Sequence, residues 1–301
     1  MVHQAQEPGE PSPRVVNVIN GAWLPAAGRP AICRKVYESF IIEDVPLPTF
    51  LSLPERSGKP RVTGLTHVLD KGASVVVTES VLASAAPYVD LWKFGWGTAY
   101  VDPALAAKLS LLAAADVRAC VGGTLMEIAW SQRKDREYLD WADDVGFGCV
   151  EVSRGVASMP VADKHDLIRR AAERFVVISE VGSKDPHQDL TPAQWTAEVA
   201  GDLAAGARWV IIEGRESGTV GLYRADGSVR ADVVTAVLEG ADLDTVVFEA
   251  PRKDQQAWFI REYGPEVNLA NIALDEALGL ETLRRGLRAD TFEMSAGLVT
   301  T

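Results

Sequence analysis

Short runs rich in β-branched residues recur along the chain, at 65–70, 88–94, 117–123, 148–153, 175–182, 209–214, 245–251 and 267–272. Between them lie amphipathic segments such as PALAAKLSLLAAA, KHDLIRRAAERF, PAQWTAEVAGDLAAG and DEALGLETLRRGL. Near-continuous apolar strands alternating with helices predict a parallel sheet covered on its outer face. Eight such units match a (β/α)8 barrel, the TIM-barrel fold, in count and length. Asp102-Pro103 and Thr191-Pro192 each read as an N-cap followed by proline at the first helical position. An open doubly wound sheet is the rival architecture, but no GxGxxG follows the first strand.

The pattern divides the chain into an N-terminal extension (1–45), a barrel (46–293) and a short tail (294–301). Residues 1–14 are rich in Pro, Glu and Gln, a composition that predicts disorder. Residues 15–45 carry strand-like and Pro/Gly-broken pieces and read as a strap.

Strand ends change the picture from fold to chemistry, because a barrel's active site sits where strands give way to βα loops. The endings are Asp70-Lys71-Gly72, Lys93-Phe94-Gly95-Trp96, Gly122-Gly123-Thr124, Glu151-Val152-Ser153-Arg154, Glu180-Val181-Gly182, Glu213-Gly214-Arg215, Glu249-Ala250-Pro251-Arg252-Lys253 and Asn268-Leu269-Ala270-Asn271. Four glutamates, Glu151, Glu180, Glu213 and Glu249, close consecutive strands. Carboxylates gathered at one mouth repel each other unless a cation sits among them. Oxygen-only ligation without histidine suits Mg²⁺. The alternative is a structural ring of ion pairs with Lys71, Lys93, Lys184, Arg215 and Lys253.

The same rim holds basic groups able to receive an anion, and the last loops of a barrel commonly hold phosphate. That places Lys253 and the Asn268–Asn271 turn among the candidate substrate contacts, with Asp70, Arg154, Arg215 and Ser217. Arg284, Arg285 and Arg288 lie on a helix and read as solvated or outward-paired. Glu127, three residues after Thr124, either caps its helix or reaches the mouth. His67, inside the first strand, reads as a core residue; Trp92, Phe94 and Trp96 read as packing or mouth-lining groups. No Ser/His/Asp order is recognisable.

Composition sets limits. The net charge of −12 argues against a nucleic-acid surface. Three scattered cysteines give neither a disulfide framework nor a zinc site. With no apolar leader segment and no run of 18 apolar residues, a cytoplasmic protein off the membrane is the expectation. Barrels often assemble, so a homo-oligomer is expected.

The stretches LTHVLDKG, KFGWGT, GGTLMEIA, EVGSKD, IIEGRESG, VFEAPRKDQQ and LETLRRGLR occur in order between about residues 47 and 293. Together they resemble the phosphosulfolactate synthase family. The resemblance implies a Mg²⁺-using barrel that adds sulfite to phosphoenolpyruvate, a lyase-type reaction giving 3-phosphosulfolactate. Lys71 and Lys93 would then serve catalysis, and Lys184, after the fifth strand, would protonate the adjacent carbon. The chain departs from the family's usual pattern at Arg154 (an acid there), His67 (an aliphatic residue) and Ser183 (a lysine). Arg154 would alter the charge of the mouth by two units. It therefore leaves open another nucleophile on a phosphorylated enol; some relatives are associated with heat stress, which keeps a non-catalytic homologue in view.

Overall fold

In a computed structural model, residues 48–182, 190–215 and 217–297 are described. The chain divides into a short unit, Met1–Phe50, and a large one, Leu51–Thr301. The expected extension and half of the tail, with Cys33, Ser183 and Lys184, lie outside the described residues.

The large unit is the barrel. Eight parallel strands close in sequence order: β1 (Thr66–Asp70), β2 (Leu91–Phe94), β3 (Arg118–Val121), β4 (Cys149–Val152), β5 (Val176–Val181), β6 (Trp209–Ile212), β7 (Val246–Glu249) and β8 (Leu269–Ala273). Each lies inside its predicted run except β8, which extends one residue further. The helices are α1 (Val75–Ala85), α2 (Thr98–Val101), α3 (Leu105–Ala114), α4 (Gly123–Ser131), α5 (Asp135–Val145) and α6 (Val161–Ala172). They continue with α7 (Pro192–Ala205), α8 (Ala231–Gly240), α9 (Lys253–Tyr263), α10 (Ala277–Arg284) and α11 (Glu293–Ala296). Among the described residues, no helix is long and apolar enough to cross a membrane.

Two cores follow from the period-2 alternation of strands. Val68, Trp92, Phe94, Val121, Val150, Val152, Val181, Val210, Ile212 and Phe248 face outward and pack under the helices. Leu91, Cys120, Cys149, Ile178, Trp209, Ile211, Val247 and Ala270 fill the barrel interior. Two of the three cysteines, Cys120 and Cys149, are thus small core residues.

Thr191 caps α7 through a full capping box with Gln194, with Pro192 following. The Asp102-Pro103 expectation fails. Helix α3 starts two residues later, after Ala104, although the Asp102 carboxylate accepts the Ala104 N–H in the manner of a cap and also receives the Lys108 ammonium. Arg284 is also not solvated: it is fully buried and donates to the Val267 and Leu65 carbonyls, stapling the β8 and β1 entries.

Candidate active site

The same alternation that sends Phe94, Val152, Val181, Ile212 and Phe248 outward turns their neighbours Lys93, Glu151, Glu180, Glu213 and Glu249 into the barrel mouth. All five are buried and line one cavity of about 170 Å³ at the C-terminal ends of the strands. The rest of the lining includes Trp96, Gly122 and Arg215 from loops, Gly123 and Thr124 from the first turn of α4, and Asn271 from β8.

Lys93 is the hub. Its Nζ lies 2.6 Å from Glu151 Oε2 and 3.7 Å from Glu180 Oε2. Burial pushes the ammonium down, but Glu151, Glu180 and Glu249 outweigh it and hold the pKa well above the usual lysine range. Glu151 shows the converse: burial raises its carboxyl, against the pull of Lys93 and of the Gly123 N–H, which donates to Oε1 at 2.8 Å.

Glycine is required at that contact. A Cβ on Gly123 would stand 2.3 Å from Ser153 Oγ, and one on Gly122 would stand 3.0 Å from the Phe94 carbonyl. The chain can therefore bring the first turn of α4 down onto Glu151.

Glu249 is gripped from both sides. The Gly214 N–H donates to Oε2 at 2.8 Å, and Asn271 Nδ2 donates to Oε1. Burial first, then the negative charge of Glu180, lift its carboxyl from 4.5 to about 7, partly opposed by Lys93. Non-glycine residues with positive φ cluster here: Trp96 (54°), Arg215 (57°) and Asn271 (56°) all line the cavity. Such backbone strain persists where the surroundings over-determine it, commonly at functional sites.

Several expected contacts lie elsewhere. Asp70 shares the outward parity of Val68; it accepts from Trp92 Nε1 and pairs with buried Lys108 at 2.6 Å, behind the sheet. Arg154 is ion-paired to Glu198 on α7 and is absent from the lining, so the expected reversal of charge at the mouth does not arise. Lys253 reaches Asp290 at 2.9 Å. Ser217 is exposed and bonds Thr219. Asn268 precedes β8 at the opposite end of the barrel, where Oδ1 accepts from Leu65 N and Nδ2 donates to the Val246 carbonyl.

Lys71 is exposed on the rim with its Nζ 5.2 Å from the Trp96 ring centroid. Glu127 neither caps α4 nor enters the mouth. It accepts from Ser153 Oγ and from the N–H groups of Gly155, Val156 and Ala157, shaping the loop after β4.

Residues 54–290 match the family model described as (2R)-phospho-3-sulfolactate synthase. A phosphosulfolactate synthase of Methanothermobacter thermautotrophicus is 42% identical over 244 residues, spanning 79% of this chain and 95% of that protein. The chain belongs to this enzyme family. Protein HEAT-STRESS-ASSOCIATED 32 of Arabidopsis thaliana is a more distant relative, 23% identical over 76% of this chain and 88% of its own length. Among solved structures, 3-hexulose-6-phosphate synthase from Salmonella typhimurium aligns with a TM-score of 0.50 at 13% identity, over 72% of this chain and 97% of that one. That likeness concerns the fold alone. The family's product carries phosphate on carbon 2 and sulfonate on carbon 3, which corrects the 3-phospho product expected above.

Proposed function

We propose that the protein joins sulfite to phosphoenolpyruvate, giving (2R)-phospho-3-sulfolactate with the help of Mg²⁺. The observation that carries this reading is a small cavity where Lys93 and Arg215 stand among four glutamates, in a chain of this family.

Charge supports a divalent ion. Lys93 and Arg215 face Glu151, Glu180, Glu213 and Glu249 across the lining. A phosphate, a carboxylate and a sulfite entering that mouth would be repelled without further positive charge. A proton on Glu249 removes one negative charge near neutral pH. The donors are hard oxygens, and Mg²⁺ commonly takes one or two carboxylates with substrate oxygens and water. Among the described residues, no group of three or more His, Cys, Asp or Glu is placed to cage a metal. The fit is thus to an ion shared with the ligand. When bound, it would supply Lewis-acid stabilisation of carboxylate charge.

The chain's own groups do the rest. Arg215 and Lys93 meet the phosphate and carboxylate of phosphoenolpyruvate as charged donors, and Lys71 on the exposed rim draws anions inward. The sulfite lone pair forms the C–S bond at carbon 3. The carbon–carbon π pair moves onto the carboxylate, and carbon 2 then takes a proton while phosphate stays on its oxygen. Lys184, outside the described residues, is the proposed donor on the strength of the family resemblance. Incubation with Mg²⁺, phosphoenolpyruvate and sulfite should yield a phosphorylated sulfonate by mass spectrometry. Consumption only with another nucleophile would overturn the choice of sulfite, and no turnover with any would overturn the enzymatic reading.

A further inference from the structure

Strand β8 carries a bulge whose support comes from a side chain of β1. Thr66 pairs with Leu269 and Val68 with Ile272, so the single residue His67 faces both Ala270 and Asn271. Asn271 takes up the extra length with a left-handed φ of 56°. Its backbone N–H is received by His67 Nδ1 over a long hydrogen bond of 3.5 Å. The bend turns its carboxamide to the mouth, where Nδ2 holds Glu249 and Oδ1 has no hydrogen-bond partner among the described residues.

His67 is itself wholly buried on the inner face of β1, directly before Val68, and its Nε2 has no hydrogen-bond partner among the described residues. An imidazole that accepts at Nδ1 carries its proton on Nε2. Burial, reinforced by the Lys93 ammonium, keeps the ring neutral, with a pKa of about 3. A buried polar atom left unsatisfied is costly and calls for an explanation. The bulge provides one, because an apolar side chain at this position would leave the buried Asn271 N–H unserved.

We infer that His67 is a positioning residue: its Nδ1 secures the bulged Asn271 N–H and so aims the Asn271 carboxamide at Glu249 and the cavity. The kinetic part of this inference rests on the reaction proposed above; the structural part does not.

Three measurements on the full chain test it. In ¹⁵N-histidine NMR, His67, assigned by its loss in His67→Asn, should remain a neutral imidazole protonated on Nε2 from about pH 5 to 9. A ring protonated on Nδ1 overturns the inference. In a crystal structure of His67→Leu, Asn271 should leave the left-handed region and release Glu249; an unchanged Asn271 overturns it. Finally, His67→Leu should lower kcat/KM about tenfold. His67→Asn, whose Oδ1 can stand where Nδ1 stood, should recover most of that loss. Equal loss in both variants counts against a positioning role. A wild-type protein without turnover would remove the proposed reaction and leave the first two measurements to decide.

Discussion

Glu249→Gln isolates the electrostatic state of the mouth. In the folded protein the Glu249 carboxyl is raised from 4.5 to about 7, chiefly by burial and then by Glu180. A carboxyl raised on folding binds its proton more tightly when folded. Its contribution is therefore intact below about pH 4.5 and is lost as pH climbs towards 7. The rise corresponds to roughly 3 kcal/mol of stability lost between pH 4.5 and 7.5.

Glutamine has the same shape and does not ionise. Its Oε1 can still accept from Gly214, and a flipped Asn271 can accept from its amide. Metal-free wild type, treated with chelator, should lose stability across this range. Glu249→Gln should lose about 3 kcal/mol less than the wild type. For a domain of this size that difference amounts to a melting-temperature gap of roughly 6–12 °C opening towards pH 7.5. Denaturant unfolding at a series of pH values measures it directly. Parallel pH profiles for the two proteins would refute the reasoning, because the wild-type carboxylate would then be as well accommodated ionised as protonated.

Other substitutions separate chemistry from scaffolding. Lys108→Met should cost about 3–5 kcal/mol in denaturant unfolding, since it strands the buried carboxylate of Asp70, yet leave KM unchanged in protein that remains folded. Arg215→Ala should raise KM for phosphoenolpyruvate by roughly ten- to a hundredfold in steady-state kinetics, the loss expected for a charged hydrogen bond. Arg154→Ala should leave that KM alone and shift stability by no more than about 1 kcal/mol, because its partner is Glu198 and both are partly solvated. Lys184→Ala should depress kcat far more than phosphoenolpyruvate affinity; equal loss of both would speak against proton donation.

The parts of the site legible in the sequence are those governed by strand parity. Lys93, Glu151, Glu180, Glu213 and Glu249 each neighbour an apolar outward residue, so their inward aim follows from a period of two. Parity also accounts for Asp70, which is two residues from Val68 and shares its outward face. Lysine in an apolar helical stripe marks a buried cation in the same way. Lys108 stands with Leu105, Leu109 and Leu112, and Lys164 with Leu167, Ile168 and Ala171, the i, i+3, i+4, i+7 spacing of a buried face.

Past the strand ends parity no longer applies, and loop geometry takes Arg154 to Glu198 and Lys253 to Asp290, partners that no local pattern specifies, and leaves Ser217 exposed beside Thr219. Asn268 lies away from the mouth for a simpler reason: β8 begins after it, so it belongs to the opposite end of the barrel. The bulge at Asn271 depends on register against β1, a property of two strands together that neither sequence segment displays alone.

The most direct test of the account is the fate of carbons 2 and 3 of phosphoenolpyruvate in D₂O. With ¹³C-labelled substrate, sulfite and Mg²⁺, NMR should show the vinyl carbons become saturated. Carbon 3 should bear sulfur, and carbon 2 should bear one deuteron with its phosphate retained. Release of phosphate, or an enol left intact while sulfite is consumed, would contradict it.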